Sequence, residues 1–421
     1  MPRFLKWLLV LLLVPVLLLA AIGLALQRWV GSDDFRERAS QRLSATLGVP
    51  VALGAIGVEM WPLPAVALER VNVQTRPPLT LGRIEARPVW MALLQRRLEI
   101  STLIVREGVI PQNAVVAIAA VMQKTKRAGV SPGEATGGPD SMKLLPRRTV
   151  LDGVTWLDSR GAAVTVDAQA TLDDDGLPHV VELKVRKGRF DGAKASLQRQ
   201  ADHWALRADV GGGTVTGKVQ VQPAAKGGSK LQGQFEIAGV EVAALTAPSR
   251  PLTGRLDAHT TVSADFRDIG ELTDAMRTDT RFTVRSAVVH GLDLARAVQS
   301  VGLSRGGETR LDTLSGHVST QGHAAQLNNL VATSGALTAS GQLALAPNRS
   351  LTGRISVDLA SGAAGGAIGV PLAVGGTLDE PTVQLTRGAL IGAAIGTAVA
   401  PGLGTGAGAK LGDALGRIFG K

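Results

Sequence analysis

The chain has 421 residues, room for two or three domains, and a formal net charge of +10. It holds no cysteine and no tyrosine, with only seven Phe and six Trp, so a disulfide framework and thiol chemistry are excluded and the apolar content is mostly Leu, Val, Ala and Ile. The basic balance points to anionic partners, although +10 over this length is also what an ordinary solvated surface carries; single-stranded nucleic acid needs aromatic stacking platforms that are scarce here, which leaves phospholipid head groups as the anion.

The first segment is apolar. Residues 8–26 carry no charge, with Arg3 and Lys6 before them and Arg28 after. A hydrocarbon core takes about 20 such residues in one helix, and a cleaved secretory signal has an apolar core of roughly 7–15. The reading is therefore an uncleaved transmembrane anchor over 1–30, amino terminus cytoplasmic, with the body on the other side.

Ser32 to Leu47 reads as a helix. Ser32 caps it, Asp33, Asp34 and Glu37 sit where the helix dipole favours acids, and Phe35, Ala39, Leu43 and Leu47 form one narrow apolar stripe. Gly48 stops it. Extended segments follow at Val49–Leu53, Ala65–Val73, Leu79–Ile84 and Leu98–Val105, with a short amphipathic turn at Val89–Arg97 and a second helix over Asn113–Lys126. These make an α+β region over 31–127. The turn formers of 128–149 read as a linker.

Over 150–387 the period becomes two. Val164, Val166, Ala168 and Ala170 alternate with polar residues; so do Val181, Leu183 and Val185, then Val219 and Val221, Ala258 to Ala264, and Ile355, Val357 and Leu359. Turn signals at Asp173–Gly176, Asp191–Gly192 and Pro347–Asn348 punctuate them. The pattern predicts a succession of short antiparallel strands with one apolar face, interrupted by a helix over Leu292–Val301. The inward residues are small aliphatics among glycines, which fits either an ordinary closed sandwich or a sheet that leaves an apolar trough.

The tail, 388–421, has glycine every four residues: Gly388, Gly392 and Gly396, then Gly404, Gly408, Gly412 and Gly416. Such a stripe lets helices approach closely, which predicts a glycine-zipper helical hairpin; a plain Gly/Ala tail is the alternative.

Motifs for chemistry do not hold together. Gly212–Lys218 has phosphate-loop spacing, but Val219 stands where a hydroxyl must ligate magnesium and a strand follows. Gly302–Gly306 imitates a nucleophile elbow in the reverse structural order. Gly404–Ala409 imitates a dinucleotide fingerprint with too little chain after it. Asp173–Gly176 lacks the ligand spacing of a calcium loop, and the histidines are scattered. No enzyme activity, cofactor or metal is expected.

Two stretches resemble the AsmA-type proteins of the Gram-negative envelope. One comprises the anchor, the first helix, Leu47–Val51, Trp61–Leu68, Leu79–Gly82 and Leu98–Leu103. The other comprises His290–Leu294, the Leu- and Gly-rich strands from Leu311 to Leu359, and Val370–Val383. The resemblance implies an inner-membrane anchor, a periplasmic body and a long twisted sheet forming a lipid-lined groove related to chorein-like bridge proteins. It also implies a part in phospholipid movement and outer-membrane integrity. Val166, Leu183, Val219, Val221, Val262, Ile355 and Val357 are the residues expected to hold acyl chains. Roughly 17 strands at ~4.8 Å give a groove of ~80 Å, short for bridging two membranes, so a partner protein, self-association or a local role is expected as well. A non-enzymatic scaffold for outer-membrane assembly is the alternative function.

Overall fold

The computed structural model describes residues 32–59, 65–89, 91–92, 99–127, 146–158, 161–173, 175–224, 228–247, 250–267, 272–299, 306–335, 337–359, 368–386 and 388–389. The chain forms two compact units, Met1–Gly192 and Ala193–Lys421. Strands make up 68% of the described residues, so the fold is mainly β. None of the described helices is long and apolar enough to cross a membrane, and the expected anchor over 8–26 lies outside the described residues.

The first unit begins with α1 (Asp33–Leu47). The Ser32 hydroxyl accepts the Phe35 N–H, and Gly48 closes the helix at φ 68° with its N–H on Ser44 O at 2.8 Å. The helix is pinned to the first strand by side chains: Ser44 Oγ accepts the Val51 N–H at 2.8 Å, and Ser40 Oγ donates to Val51 O. Then come β1 (Val51–Ala52), β2 (Ala55–Glu59), β3 (Ala65–Val73), β4 (Leu79–Pro88), β5 (Ile100–Pro111) and α2 (Gln112–Arg127). They are followed by β6 (Arg148–Leu157), β7 (Ala163–Leu172) and β8 (Pro178–Gly188). Both β1 and β2 pair with β3, and each later strand pairs with the one before it.

All these pairings are antiparallel except β5–β6, which is parallel. The parallel pairing joins β5 to the first strand of the succession read over 150–387, and within that succession every strand pairing is antiparallel. Residues 128–145, in the stretch read as a linker, lie outside the described residues, and β6 to β8 belong to the same compact unit as β5.

The second unit is an antiparallel meander. It runs β9 (Lys194–Gln200), β10 (His203–Val210), β11 (Gly213–Pro223), β12 (Ser229–Glu241), α3 (Val242–Thr246), β13 (Leu252–Phe266), α4 (Leu272–Ala275) and β14 (Arg277–His290). It continues with α5 (Leu294–Gln299), β15 (Glu308–Gln321), β16 (Ala324–Ser334), β17 (Leu337–Leu345), β18 (Leu351–Leu359), β19 (Ile368–Gly376) and β20 (Pro381–Leu385). Each strand pairs with its sequence neighbour, and no pairing joins β9 to β20 among the described residues, so this sheet is open.

One device recurs in both units. Strand alternation would put residues three apart on opposite faces. Yet Leu68 and Val71 pack in one apolar cluster, and so do Val284 and Ala287, and Leu311 and Leu314. Left-handed residues recur at such places, Arg70 (φ 51°) before Val71 and Ser286 (φ 50°) before Ala287, and likewise Glu107 (φ 52°), Gly153 (φ 64°), Gly239 (φ 64°) and Asn329 (φ 51°), while the Leu311–Leu314 stretch has none. The ladder skips a residue or shifts register at these points, as in a bulge, and the parity of the strand resets.

Left-handed backbone costs a residue with a Cβ roughly 1 kcal/mol relative to glycine. Glu107→Gly is therefore expected to raise the urea-unfolding stability of the first unit by about 1 kcal/mol. Gly239→Ala, whose new Cβ would meet nothing within 4 Å, is expected to cost the second unit about 1 kcal/mol through backbone strain alone. Amide hydrogen exchange on the flanking strands of the full chain reads both effects.

Candidate functional site

Residues paired across a ladder share a face, so the registers sort every strand into an apolar and a polar side. In the first unit Val166 sits between Val154 and Val185, and Ala168 between Leu151 and Leu183. The same rows continue through Val105 and Ile84 to Leu68. Val166 and Leu183 thus lie on one aliphatic face crossing β3 to β8, and both are half-buried.

In the second unit Val219 pairs with Trp204 and Gly233, Gly233 with Val262, and Val221 with Leu231, which pairs with Ala264. Ile355 sits between Gly341 and Leu372, and Val357 between Ala339 and Val370. These five expected residues also share one face. Their exposure differs: Val221 is 42% exposed, Val219, Val262 and Ile355 are half-buried, and Val357 is fully buried.

Helices cause the difference. In the first unit Leu43 and Leu47 of α1 and Ala114 and Ile118 of α2 cover Val51, Val71, Val73 and Leu79. In the second, Leu294 and Ala297 of α5 and Val242 of α3 pack with Val284, Leu311, Val357 and Leu372. Thr309 holds α5 there: its Oγ1 donates to Leu292 O at 2.7 Å and accepts the Leu294 N–H at 2.9 Å. Val357 is therefore a core residue beneath a helical cap, while Val219, Val221 and Val262 lie on the part of the face beyond it.

Several inward positions are glycine, and larger neighbours fill their space. A Cβ on Gly233 would lie 2.7 Å from the Phe235 ring, and one on Gly217 would collide with that ring and with Gln234 O. On Gly316 it would lie 2.7 Å from Leu330 and 3.2 Å from Phe282. Phe235 and Phe282 spread flat over backbone instead of standing off it, so few aromatics cover much apolar area.

The polar faces are built from charge pairs. In the first unit Arg83 pairs with Glu59, with Glu85 at 2.9 Å and with Glu69 at 3.4 Å. Arg106 reaches Glu85 at 3.0 Å and Asp152 at 3.9 Å, and Arg186 ties Asp152 (2.9 Å) to Asp167. The ladder thus crosses β2 to β8 and encloses the Glu85 carboxylate, which is 4% exposed. Partial burial of Asp167 opposes its charge, but the Gly153 N–H at 3.0 Å and the Arg186 guanidinium outweigh that and hold its carboxyl below the usual range. On the polar face of the second unit His317 Nε2 meets Asp279 Oδ2 at 2.7 Å, and Arg285 pairs with Asp257.

The motif-like segments resolve as ordinary local structure. Gly211 and Gly212 form the β10–β11 turn at φ 55° and 73°, and Lys218 is an exposed strand residue. Gly176 closes the Asp173 turn, its N–H on Asp173 O at 2.9 Å. Residues 302–305 lie outside the described residues. Among the described residues no three His, Cys, Asp or Glu side chains cluster to hold a metal. Gly388 is half-buried beside the fully buried Ala389; Gly392, Gly396, Gly404, Gly408, Gly412 and Gly416 lie outside the described residues.

The class these observations define is a mainly β protein with two-faced sheets, one side aliphatic and partly roofed by helices, the other charged. No family model, no curated protein and no solved structure matches the chain.

The burial gradient sets two contrasting substitutions. Val357→Asp is expected to destabilise the second unit by about 3 kcal/mol or more, because it buries a charge with no partner. Val221→Asp is expected to stay within about 0.5 kcal/mol. Urea unfolding followed by tryptophan fluorescence separates them.

Asp167 sets a pH dependence. Its native carboxyl titrates below the unfolded one, so its contribution is present above about pH 4 and is lost as pH falls through the native value. The fall in Tm between about pH 5 and about pH 3 is expected to be shallower in Asp167→Asn than in the parent.

Proposed function

We propose that the chain is an inner-membrane-anchored periplasmic protein that binds or conducts phospholipids along its apolar sheet face. In this reading it serves outer-membrane lipid homeostasis and envelope integrity. The observation that carries the reading is the half-buried aliphatic face that continues past the helical cap at Val219 and Val262, backed by a polar face. The apolar run over 8–26, with Arg3 and Lys6 before it, supports attachment to a membrane. The resemblance of the two terminal stretches to AsmA-type proteins supports the compartment. Acyl chains would be held by burial, at about 0.8 kcal/mol per methylene, and head groups would stay in water. The glycine-spaced tail would pack on itself, on lipid or on a second copy.

Native mass spectrometry of the full chain, extracted gently from its host, is expected to find phospholipid at one or more per chain. Val219→Asp combined with Val262→Asp is expected to remove it while the circular dichroism of the sheet persists. A folded parent protein free of lipid would overturn the proposal and favour a scaffold that assists outer-membrane assembly.

A further inference from the structure

On the apolar face of the second unit four threonines come together across β13 to β15. Thr260 of β13, Thr278 and Thr280 of β14 and Thr320 of β15 all point to the aliphatic side, since Thr260 pairs with Phe235 and Thr280, Thr278 with Val262 and Thr320, and Thr320 with Ala325. Their hydroxyls bond in two couples: Thr260 Oγ1 to Thr280 Oγ1 at 3.0 Å, and Thr278 Oγ1 to Thr320 Oγ1 at 2.7 Å. All four residues are half-buried. Two further cross-strand threonine couples, Thr155–Thr165 and Thr313–Thr333, lie on the polar faces, where hydroxyls meet water in any sheet.

The four inward threonines are different because valine has the same shape and is what the face uses next to them, at Val262 and Val318. In each couple one hydroxyl donates to the other, and the second keeps a proton to give. The patch therefore offers two neutral donors amid hydrocarbon. No cation shares that side of these strands; Arg277, Asp279 and Arg281 alternate onto the polar face. A phosphate would find no counter-charge here, and an alkyl chain has no acceptor. A neutral carbonyl joined to alkyl chains satisfies both the donors and their surroundings.

We propose that Thr260, Thr278, Thr280 and Thr320 form a hydrogen-bonding station for the acyl-ester carbonyls of a glycerolipid. The inference rests on the reading of this face as a lipid surface. It adds that the face sets lipid register: ester carbonyls at β13–β15, acyl chains along the aliphatic rows on either side.

The test offers the full-length protein an equimolar mixture of two phosphatidylglycerols of the same chain length, one ester-linked and one ether-linked, in vesicles. Captured lipid is quantified by mass spectrometry. The parent protein is expected to take up the ester form about fivefold over the ether form, the ratio that one net hydrogen bond gives. Thr260→Val, Thr278→Val, Thr280→Val and Thr320→Val together are expected to bring the ratio to one with total uptake undiminished. Thr313→Val with Thr333→Val, on the polar face, is expected to leave the preference intact. The pairwise variants Thr260→Val/Thr280→Val and Thr278→Val/Thr320→Val, each expected to weaken the preference, serve if the fourfold variant loses its β circular dichroism. Equal uptake of both lipids by the parent, or a preference that survives all the Thr→Val variants, overturns the station alone. Uptake of neither lipid overturns the lipid reading beneath it.

Discussion

The structure depends on keeping one side of each strand apolar along its whole length, against a backbone that alternates strictly. A single extra or skipped residue transfers every later side chain to the other face. Left-handed residues next to Leu68/Val71, Leu151/Val154, Val284/Ala287 and Leu327/Leu330 restore the parity each time. Without those resets, Val71 and Val73 would turn away from α1 and α2, and Ala287 would leave the cluster beneath α5. The conformational penalty at Arg70, Glu107, Ser286 and Asn329 is offset by the apolar area each reset keeps on the correct side.

Once parity is kept, residue size decides what each face can do. The inward side is mostly Val, Leu and Ala, with glycines whose space is taken by Phe235 and Phe282. This face is roofed only where a helix is available. Under α5 it becomes a conventional core, with Val284, Val357 and Leu372 almost without solvent contact. Beyond the cap the same chemistry stays half in water at Val219 and Val262, which costs the isolated fold stability and gives an apolar partner something to cover.

The opposite faces solve another problem. Acid and base alternate across β2 to β8 around Glu85, so a carboxylate shielded from water still has Arg83 and Arg106 within 3.0 Å. Such pairs add modestly to stability, but they make the inverted sheet costly, because it would bury the same ion pairs beneath the helices at the expense of their hydration. The ion-pair ladder and the aliphatic face therefore specify the same orientation from opposite sides.

Much of this was legible in the residues. Ser32, the acidic first turn and Gly48 delimit α1; the strand read over Ala65–Val73 coincides with β3; and the second helix and the one near Leu294 fall where their periodicity puts them. Local signals suffice there because caps, turns and amphipathic stripes act over a few neighbours. The seven expected aliphatic residues likewise share the apolar face of their unit, since period two is a local property. Other features had no local signal. Arg70, Glu107 and Ser286 do not announce a left-handed backbone, and nothing local to β5 or β6 says that the two pair in parallel. Val357 and Val219 look alike in sequence; whether one is core and the other surface depends on a helix more than fifty residues from Val357. Thr260 falls in the apolar alternation of its own strand, but only the register of three strands brings Thr278, Thr280 and Thr320 beside it on the apolar side. Sequence determined which residues prefer to be inside; the tertiary structure decided which of them are covered, because cover is contributed by distant segments.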